Sequence, residues 1–336
     1  MSFYTLTFKR KIFLSLFLVF CGFFLLDFAL HIVSMNQKTT KTTYLPPHKQ
    51  SKSKFFELNE PYKKNIIFVG SSRTYYHIST NIFKNENINI FNFGVTGNKL
   101  EDYPDIVNTI KNYHPQKVVI SFRVNKIYEK LNEIKSPTLI DLKYYFKVDK
   151  VVFLSGLLTY VKNFHKFFTY SEAIYNMIIS FYNKFDIENK DKNAKYLEDV
   201  GRYSDCEIFK IRPGHSVECS NGDGILFGNN ILENYYSSKT ELKGINKNTI
   251  LFIKDGIIKP LIEKNIDVII VLEPVFNNVY SYNINEIMHN LENVKIIDLT
   301  GMHITKEKWA DNEHLNNIGR EFYSRYLIEL YKRKIL

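Results

Sequence analysis

Three cysteines and no C-x-x-C pair leave this chain without the commonest zinc framework. His77, His114, His303 and His314 show no paired ligand spacing either, so no metal is expected, and no motif calls for a cofactor. No internal repeat is present. A basic stripe is also missing. The chain carries 45 Lys and Arg against 35 Asp and Glu, a formal charge of +10. The lysines are scattered among Asn and Asp, as in Asn189-Lys190-Asp191-Lys192, which is the pattern of a solvated surface. Nucleic acid is therefore not an expected partner. Hydrophobic residues make up 45% of the 336 positions, enough to bury a sizeable core.

The N-terminal segment is the most apolar part of the chain. Ile12 to Leu26 is interrupted only by Ser15, and with Asp27 and His31 near its end the run extends to Met35, about the length that crosses a bilayer. Lys9, Arg10 and Lys11 precede it, so residues 1–11 are expected in the cytoplasm and the remainder outside; Lys38 and Lys41 weaken that bias without reversing it. No small-residue A-x-A site follows, which argues against a cleaved signal peptide. Leu18-Val19-Phe20-Cys21 approaches a lipoprotein cleavage box, but bulky Phe20 stands where a small residue is needed. The expectation is an uncleaved signal anchor at 12–35, with the lipid bilayer as its partner and the folded domain periplasmic or extracellular. In that setting Cys206 and Cys219 can form a disulfide or remain two unpaired thiols, and both readings stay open.

Residues 36–64 are rich in Lys, Thr, Ser and Pro, include Pro46-Pro47 and lack apolar periodicity, so a linker is expected there. Asn65 to Val69 is a short apolar run stopped by Gly70, which suits a strand buried on both faces of a parallel sheet. Similar runs recur at Ile88 to Phe93, Lys117 to Phe122, Asp267 to Leu272 and Val294 to Leu299. Helical spacing marks Leu100 to Tyr113 and Leu315 to Tyr331. Strand and helix alternation predicts an α/β fold, a three-layer α/β/α sandwich around a mainly parallel five-stranded sheet, spanning 65–336. Such sheets carry their sites at the carboxyl ends of the strands. The rhythm breaks at about 136–248, read as an insertion that begins with aromatic helical material at Leu154 to Tyr182. Those aromatics can line a groove or simply form a core.

Gly70-Ser71-Ser72-Arg73 delivers a serine to the end of the first strand, where a sharp turn exposes its hydroxyl. Alone, such a tripeptide is also an ordinary turn. Near the other end of the chain, Asp311-Asn312-Glu313-His314-Leu315-Asn316-Asn317-Ile318-Gly319 precedes the last helix. A carboxylate three residues before an imidazole can fix the ring's tautomer and stabilise its protonated form, while the second ring nitrogen takes a serine proton. Equally, Asp311 can cap a helix by bonding a backbone amide.

The paired ends resemble the SGNH hydrolases, also called GDSL esterases and lipases. Those proteins carry G-x-S after the first strand and D-x-x-H-L-N-x-x-G near the C-terminus. The resemblance implies a flavodoxin-like sheet and a nucleophile at Ser72, not Ser71, with Asp311 and His314 completing a triad. Ser71 stands where aspartate is usual, a departure shared with cell-envelope relatives. Two middle blocks are implied as well. Phe91-Asn92-Phe93-Gly94-Val95-Thr96-Gly97-Asn98 resembles the glycine block, with Gly97 at the functional position and Gly94 three residues before it. Val118 to Asn125 resembles the third, with the usual G-x-N-D appearing as Arg123-Val124-Asn125-Lys126. The amides of Ser72 and Gly97 and the side chain of Asn125 would then form an oxyanion hole, where one donor is typically worth ~3 kcal/mol of barrier. The likeness covers about 65–125 and 267–331.

Arg73 beside the nucleophile is expected either to meet a carboxylate or phosphate of the substrate or to form a surface salt bridge. An anchor followed by a divergent SGNH domain resembles proteins that add or remove O-acetyl groups on surface polysaccharides. The expected function is thus a serine esterase or O-acyltransferase acting on a cell-envelope glycan, with an acyl-supplying membrane protein as a candidate partner. The alternative is a non-catalytic protein that keeps the fold to bind a glycan or assemble with a membrane partner.

Overall fold

The computed structural model describes residues 49–59, 64–132, 137–164, 205–212, 216–232, 239–292 and 294–336, with a few positions between 13 and 25. The anchor expected at 12–35 falls largely outside the described residues. Among the described residues no helix is long and apolar enough to cross a membrane. The chain divides into two compact units. The smaller comprises Met1–Thr40 with Leu157–Ile187, of which a few helical residues and the end of the helix Lys150–Phe164 are described. The larger comprises Lys41–Gly156 with Glu188–Leu336, and it holds the sheet and the site.

In chain order the elements are α1 (Lys49–Leu58), β1 (Ile66–Gly70), α2 (Ser72–His77), α3 (Thr80–Asn85), β2 (Ile90–Gly94), α4 (Tyr103–Ile110) and β3 (Lys117–Phe122). Next come α5 (Leu139–Val148), α6 (Lys150–Phe164) and four short strands, β4 (Ile208–Arg212), β5 (Ser216–Cys219), β6 (Gly224–Leu226) and β7 (Thr240–Glu241). The chain ends with α7 (Lys247–Phe252), β8 (Asp267–Leu272), β9 (Tyr280–Ser281), α8 (Ile284–Asn290), β10 (Lys295–Asp298) and α9 (Asn317–Lys332).

Five strands pair side by side in the order β10-β8-β3-β1-β2, and every pairing is parallel. They are the five expected strands, with ends displaced by a residue or two. Alternate residues point to opposite faces. Ile67, Val69, Phe91, Phe93, Val118 and Ile120 join one core with α1, α4, α5, α7 and α8. Ile66, Phe68, Ile90, Val119 and Ile269 join a second core with Ile82 and Phe83 of α3 and Tyr323 and Leu327 of α9. Helices cover both faces of the central strands, so β1 and β2 are buried throughout and β3 and β8 beyond their first residue, which explains their apolar runs; the edge strand β10 is exposed at Lys295 and Asp298.

The linker expected at 36–64 is corrected in its second half. Lys49–Leu58 is helical, and Phe55 and Phe56 are buried against Phe91, Phe93 and Tyr113. Two adjacent phenylalanines and one lysine stem suffice to dock a helix whose composition is otherwise polar.

Part of the insertion is also resolved into elements. The helix expected at Leu154 to Tyr182 is α6 as far as Phe164; residues 165–204 lie outside the described residues. Strands β4, β5 and β6 form a small antiparallel sheet, and Cys206 and Cys219 are joined in a disulfide. Val217, Cys219, Ile225 and Phe227 give this sheet a core of its own. It is fastened to the rest by the buried Arg320 of α9, which pairs with Asp223 at 2.9 Å and donates to the carbonyls of Gly224 at 2.9 Å and Ile78 at 2.7 Å. A lone buried guanidinium would be costly, so the paired carboxylate and carbonyls are what permit it there.

Candidate active site

Strand β1 runs between β2 and β3, so the loops leaving these three strands open side by side at the carboxyl edge of the sheet. Ser72, Gly97 and Asn125 each follow one of them. After β1 the chain turns at once into α2. Ser71 is the N-cap, its Oγ accepting from the Arg73 amide at 3.4 Å, so Ser72 occupies the first helical position. Helix α2 lies directly on the end of β2. A Cβ at Gly94 would fall 2.2 Å from the Tyr75 nitrogen, so only glycine admits this approach. Asn92, buried in β2, donates to the carbonyls of Thr74 and Ile78 at 3.0 Å and of Tyr75 at 3.3 Å, and accepts from the Gly94 amide at 2.9 Å. One polar side chain thereby adds a donor to three carbonyls at the end of the short helix, of which Thr74 also accepts from the Ile78 amide and Ile78 from Arg320.

The residues before α9 converge on Ser72. Ser72 Oγ is 2.8 Å from His314 Nε2, across 242 residues of sequence. His314 Nδ1 is 3.1 Å from both carboxylate oxygens of Asp311. This network places the imidazole proton on Nδ1 and leaves Nε2 free to accept from the serine. Asp311 Oδ1 also accepts from the amides of Glu313 and His314 at 2.7 Å, which shapes the loop without capping a helix; the cap of α9 is Asn316. Burial pushes the Asp311 carboxyl up, but the hydrogen bond and charge of His314 with those two amides outweigh it. The net result lies below the ordinary carboxylate range.

Each remaining residue of this block has a local task. Asn316 caps α9, accepting from the amides of Ile318 and Gly319 at 3.1 Å, while its Nδ2 donates to the carbonyls of Glu307 at 2.7 Å and Gly228 at 3.1 Å. A Cβ at Gly319 would fall 2.0 Å from the Lys308 carbonyl oxygen, so the loop closes on α9 only over glycine. Asn312 exchanges hydrogen bonds with the backbone of Leu232 at 2.9 and 3.2 Å, which brings part of the insertion against the loop that carries Asp311 and His314.

Of the two expectations for Arg73, it forms the salt bridge, but in the interior and not at the surface. Its side chain is 3% exposed, donates to the Pro274 carbonyl at 2.8 Å, and lies 3.9 Å from Glu273 and 3.9 Å from Glu313. Arg123 pairs with Glu313 from the other side. The four charges alternate, Glu273, Arg73, Glu313, Arg123, joining the ends of β8 and β3 to α2 and the triad loop. Burial raises the Glu273 pKa, with Arg73 and Arg123 opposing it. Burial also acts upward on Glu313, but Arg123 and Arg73 overcome it and hold the carboxyl low.

Gly97 has a φ of +76°, and its amide and that of Ser72 bond no other group among the described residues. Asn125 is different. Its Nδ2 donates to Glu129, which Lys126 also grips, so the structure does not bring this side chain into the hydrogen-bonded group around Ser72. His77, at the end of α2, was weighed in the sequence only as a metal ligand and given no role. It is buried, and its Nε2 accepts from the Leu315 amide at 2.9 Å. Burial, then the charges of Arg73, His314 and Arg320, drive its pKa well below the usual imidazole value. Only its position on the helix of Ser72, five residues further on, could have signalled it.

A cleft of about 580 Å³ at the carboxyl ends of β8 and β10 is lined by residues that include Asn277, Asn278, His303 and Lys306, but not by Ser72 or His314. Among the described residues no group of three His, Cys, Asp or Glu side chains is arranged to hold a metal ion. No protein-family model matches the chain, and no curated protein matches it.

Proposed function

We propose that the chain is a membrane-anchored serine esterase or O-acyltransferase of the SGNH type, acting on acyl esters, acetyl above all, of a cell-envelope polysaccharide. The observation that carries this reading is the Ser72–His314–Asp311 relay, with contacts of 2.8 and 3.1 Å assembled from opposite ends of the chain. The sheet order supports it: counted along the chain, the core strands lie second, first, third, fourth, fifth, the flavodoxin-like order, with Ser72 at its switch point. The Cys206–Cys219 disulfide supports an exported domain.

In this mechanism Ser72 Oγ attacks the acyl carbonyl as its proton passes to His314 Nε2, and Asp311 stabilises the imidazolium. The amides of Ser72 and Gly97 receive the developing oxyanion. The leaving alcohol takes the proton from His314, leaving an acyl group on Ser72. Water then completes a hydrolysis, or a sugar hydroxyl a transfer.

A fluorophosphonate probe tests the reading. Labelling is expected in the wild type and in Ser71→Ala, whose hydroxyl only caps α2, and is expected to vanish in Ser72→Ala. Incubation with acetylated glycans, followed by mass spectrometry, separates acetate release from acetyl transfer. One observation favours a second reading, a non-catalytic glycan-binding or assembly protein: one of the two Asn125 amide hydrogens is taken by Glu129, so this expected oxyanion donor is tied to a neighbour outside the group around Ser72. A folded wild type that never labels and yet binds acetylated glycan would establish that alternative.

A further inference from the structure

Helix α2 holds the triad loop from both sides of its histidine. Arg73 and His77 stand one turn apart, four residues, on the same face of the helix that bears Ser72. Arg73 faces Glu313 at 3.9 Å, and His77 Nε2 accepts from the Leu315 amide at 2.9 Å. Glu313 and Leu315 are the neighbours of His314. The two grips differ in kind. The arginine contact is a loose ion pair that Arg123 shares, whereas the His77 contact is a directed hydrogen bond inside the core.

We infer that His77 is a positioning residue: its Nε2 lone pair, fastened to the Leu315 amide, sets the distance between His314 Nε2 and Ser72 Oγ. The inference rests on the serine-enzyme reading for its consequence in catalysis. Two features suit an imidazole to the task. Its acceptor projects about the length of a glutamine side chain, far enough to leave α2 and reach the next loop. The residue is also kept neutral by its burial first, and then by the charges of Arg73 on its own helix, His314 on the triad loop and Arg320 on α9, with the rings of His314 and Tyr323 packed beside it. A protonated ring would have no lone pair for Leu315. Ser324, which donates to the His77 carbonyl at 3.3 Å, and the Asn92 bonds to Thr74, Tyr75 and Ile78 hold the end of α2 in place.

The test compares His77→Gln with His77→Asn in the full-length chain. The amide oxygen of glutamine can occupy the place of Nε2, whereas that of asparagine stops at the place of Nδ1. The rate of fluorophosphonate labelling at Ser72 is expected to stay within about tenfold of wild type in His77→Gln and to fall about a hundredfold in His77→Asn, the effect of a misplaced general base. Equal rates in the two variants, both folded by circular dichroism, overturn the inference while leaving the serine-enzyme reading intact. Nitrogen-15 NMR supplies a readout that a filler role would not move: His77 is expected as the neutral Nδ1–H tautomer at pH about 6, and an imidazolium there overturns the proposal. Should the wild type not label, the function fails and geometry decides alone. A crystal structure of His77→Asn is then expected to have Ser72 and His314 beyond hydrogen-bond distance, and a contact still closed overturns the positioning role.

Discussion

Asn92 lies between two phenylalanines in a strand with no access to water, yet its side chain makes four hydrogen bonds to backbone. Replacing it by alanine leaves the Gly94 amide and carbonyls of α2 without those partners, at about 1–3 kcal/mol for a buried group left unpaired. Asn92→Ala is expected to lower the free energy of unfolding by about 3 kcal/mol in urea denaturation; a loss under about 1 kcal/mol would mean that α2 does not depend on it. The triad makes a different prediction. Ser72→Ala and His314→Ala are each expected to abolish turnover, and the double variant to be no worse than either, since the residues act as one unit. Additive losses in steady-state kinetics would refute the shared relay. At this scale the sequence was legible where chemistry and spacing coincide. Ser72, Asp311 and His314 were legible through the resemblance of their two blocks to the SGNH pattern, since a Gly-Ser-Ser turn or a D-x-x-H spacing alone has ordinary structural uses. The salt bridge of Arg73 was among the expectations, but its burial was not, because exposure is invisible in sequence until the contacts with Glu273 and Pro274 are seen. Asn125 was placed after the correct strand, but its engagement by Glu129, four residues on, depends on a local turn that no motif specifies.

Among elements, the least legible was α1. Its lysines and serines are those of a stalk, and the docking surface is confined to Phe55, Phe56 and the stem of Lys52. The core strands were legible because two covered faces force continuous apolar runs. The insertion was recognisable only as a broken rhythm, since three short antiparallel strands stabilised by a disulfide need little hydrophobic periodicity. That disulfide closes a loop with a sequence separation of 13, for which the chain-entropy account gives about 3 kcal/mol. Reduction, or Cys206→Ser with Cys219→Ser, is expected to cost about that much in urea denaturation. It is also expected to slow labelling at Ser72, because the same small sheet presents Asp223 and Gly224 to Arg320, which in turn bonds the residue after α2. Labelling unchanged on reduction would mean the sheet is only an appendage.

For the molecule as a whole, Lys52 ties stability to pH. Burial lowers its pKa to about 7, although Asp223 and Glu218 act in the opposite direction. The unfolded chain keeps this proton up to about pH 10.4, whereas the folded chain releases it near 7. Between those limits the unfolded state binds more protons, so stability rises with pH, by at most about 1.4 kcal/mol per unit. Urea midpoints at about pH 7.5 and 9 are expected to increase in the wild type and to increase less in Lys52→Met; parallel curves would show that the ammonium is not buried. The general architecture was legible from the order of strand and helix patterns alone. The fastening of insertion to core was not, because it depends on single long-range contacts such as Arg320 with Asp223. The 242-residue span between Ser72 and His314 has a temporal consequence. During synthesis Ser72 emerges long before His314, and a nascent chain that stops short of residue 314 lacks that imidazole. Under the proposed serine chemistry, acyl transfer waits until the final helix has left the ribosome and docked, so a premature stop upstream of His314 is expected to yield an inert fragment.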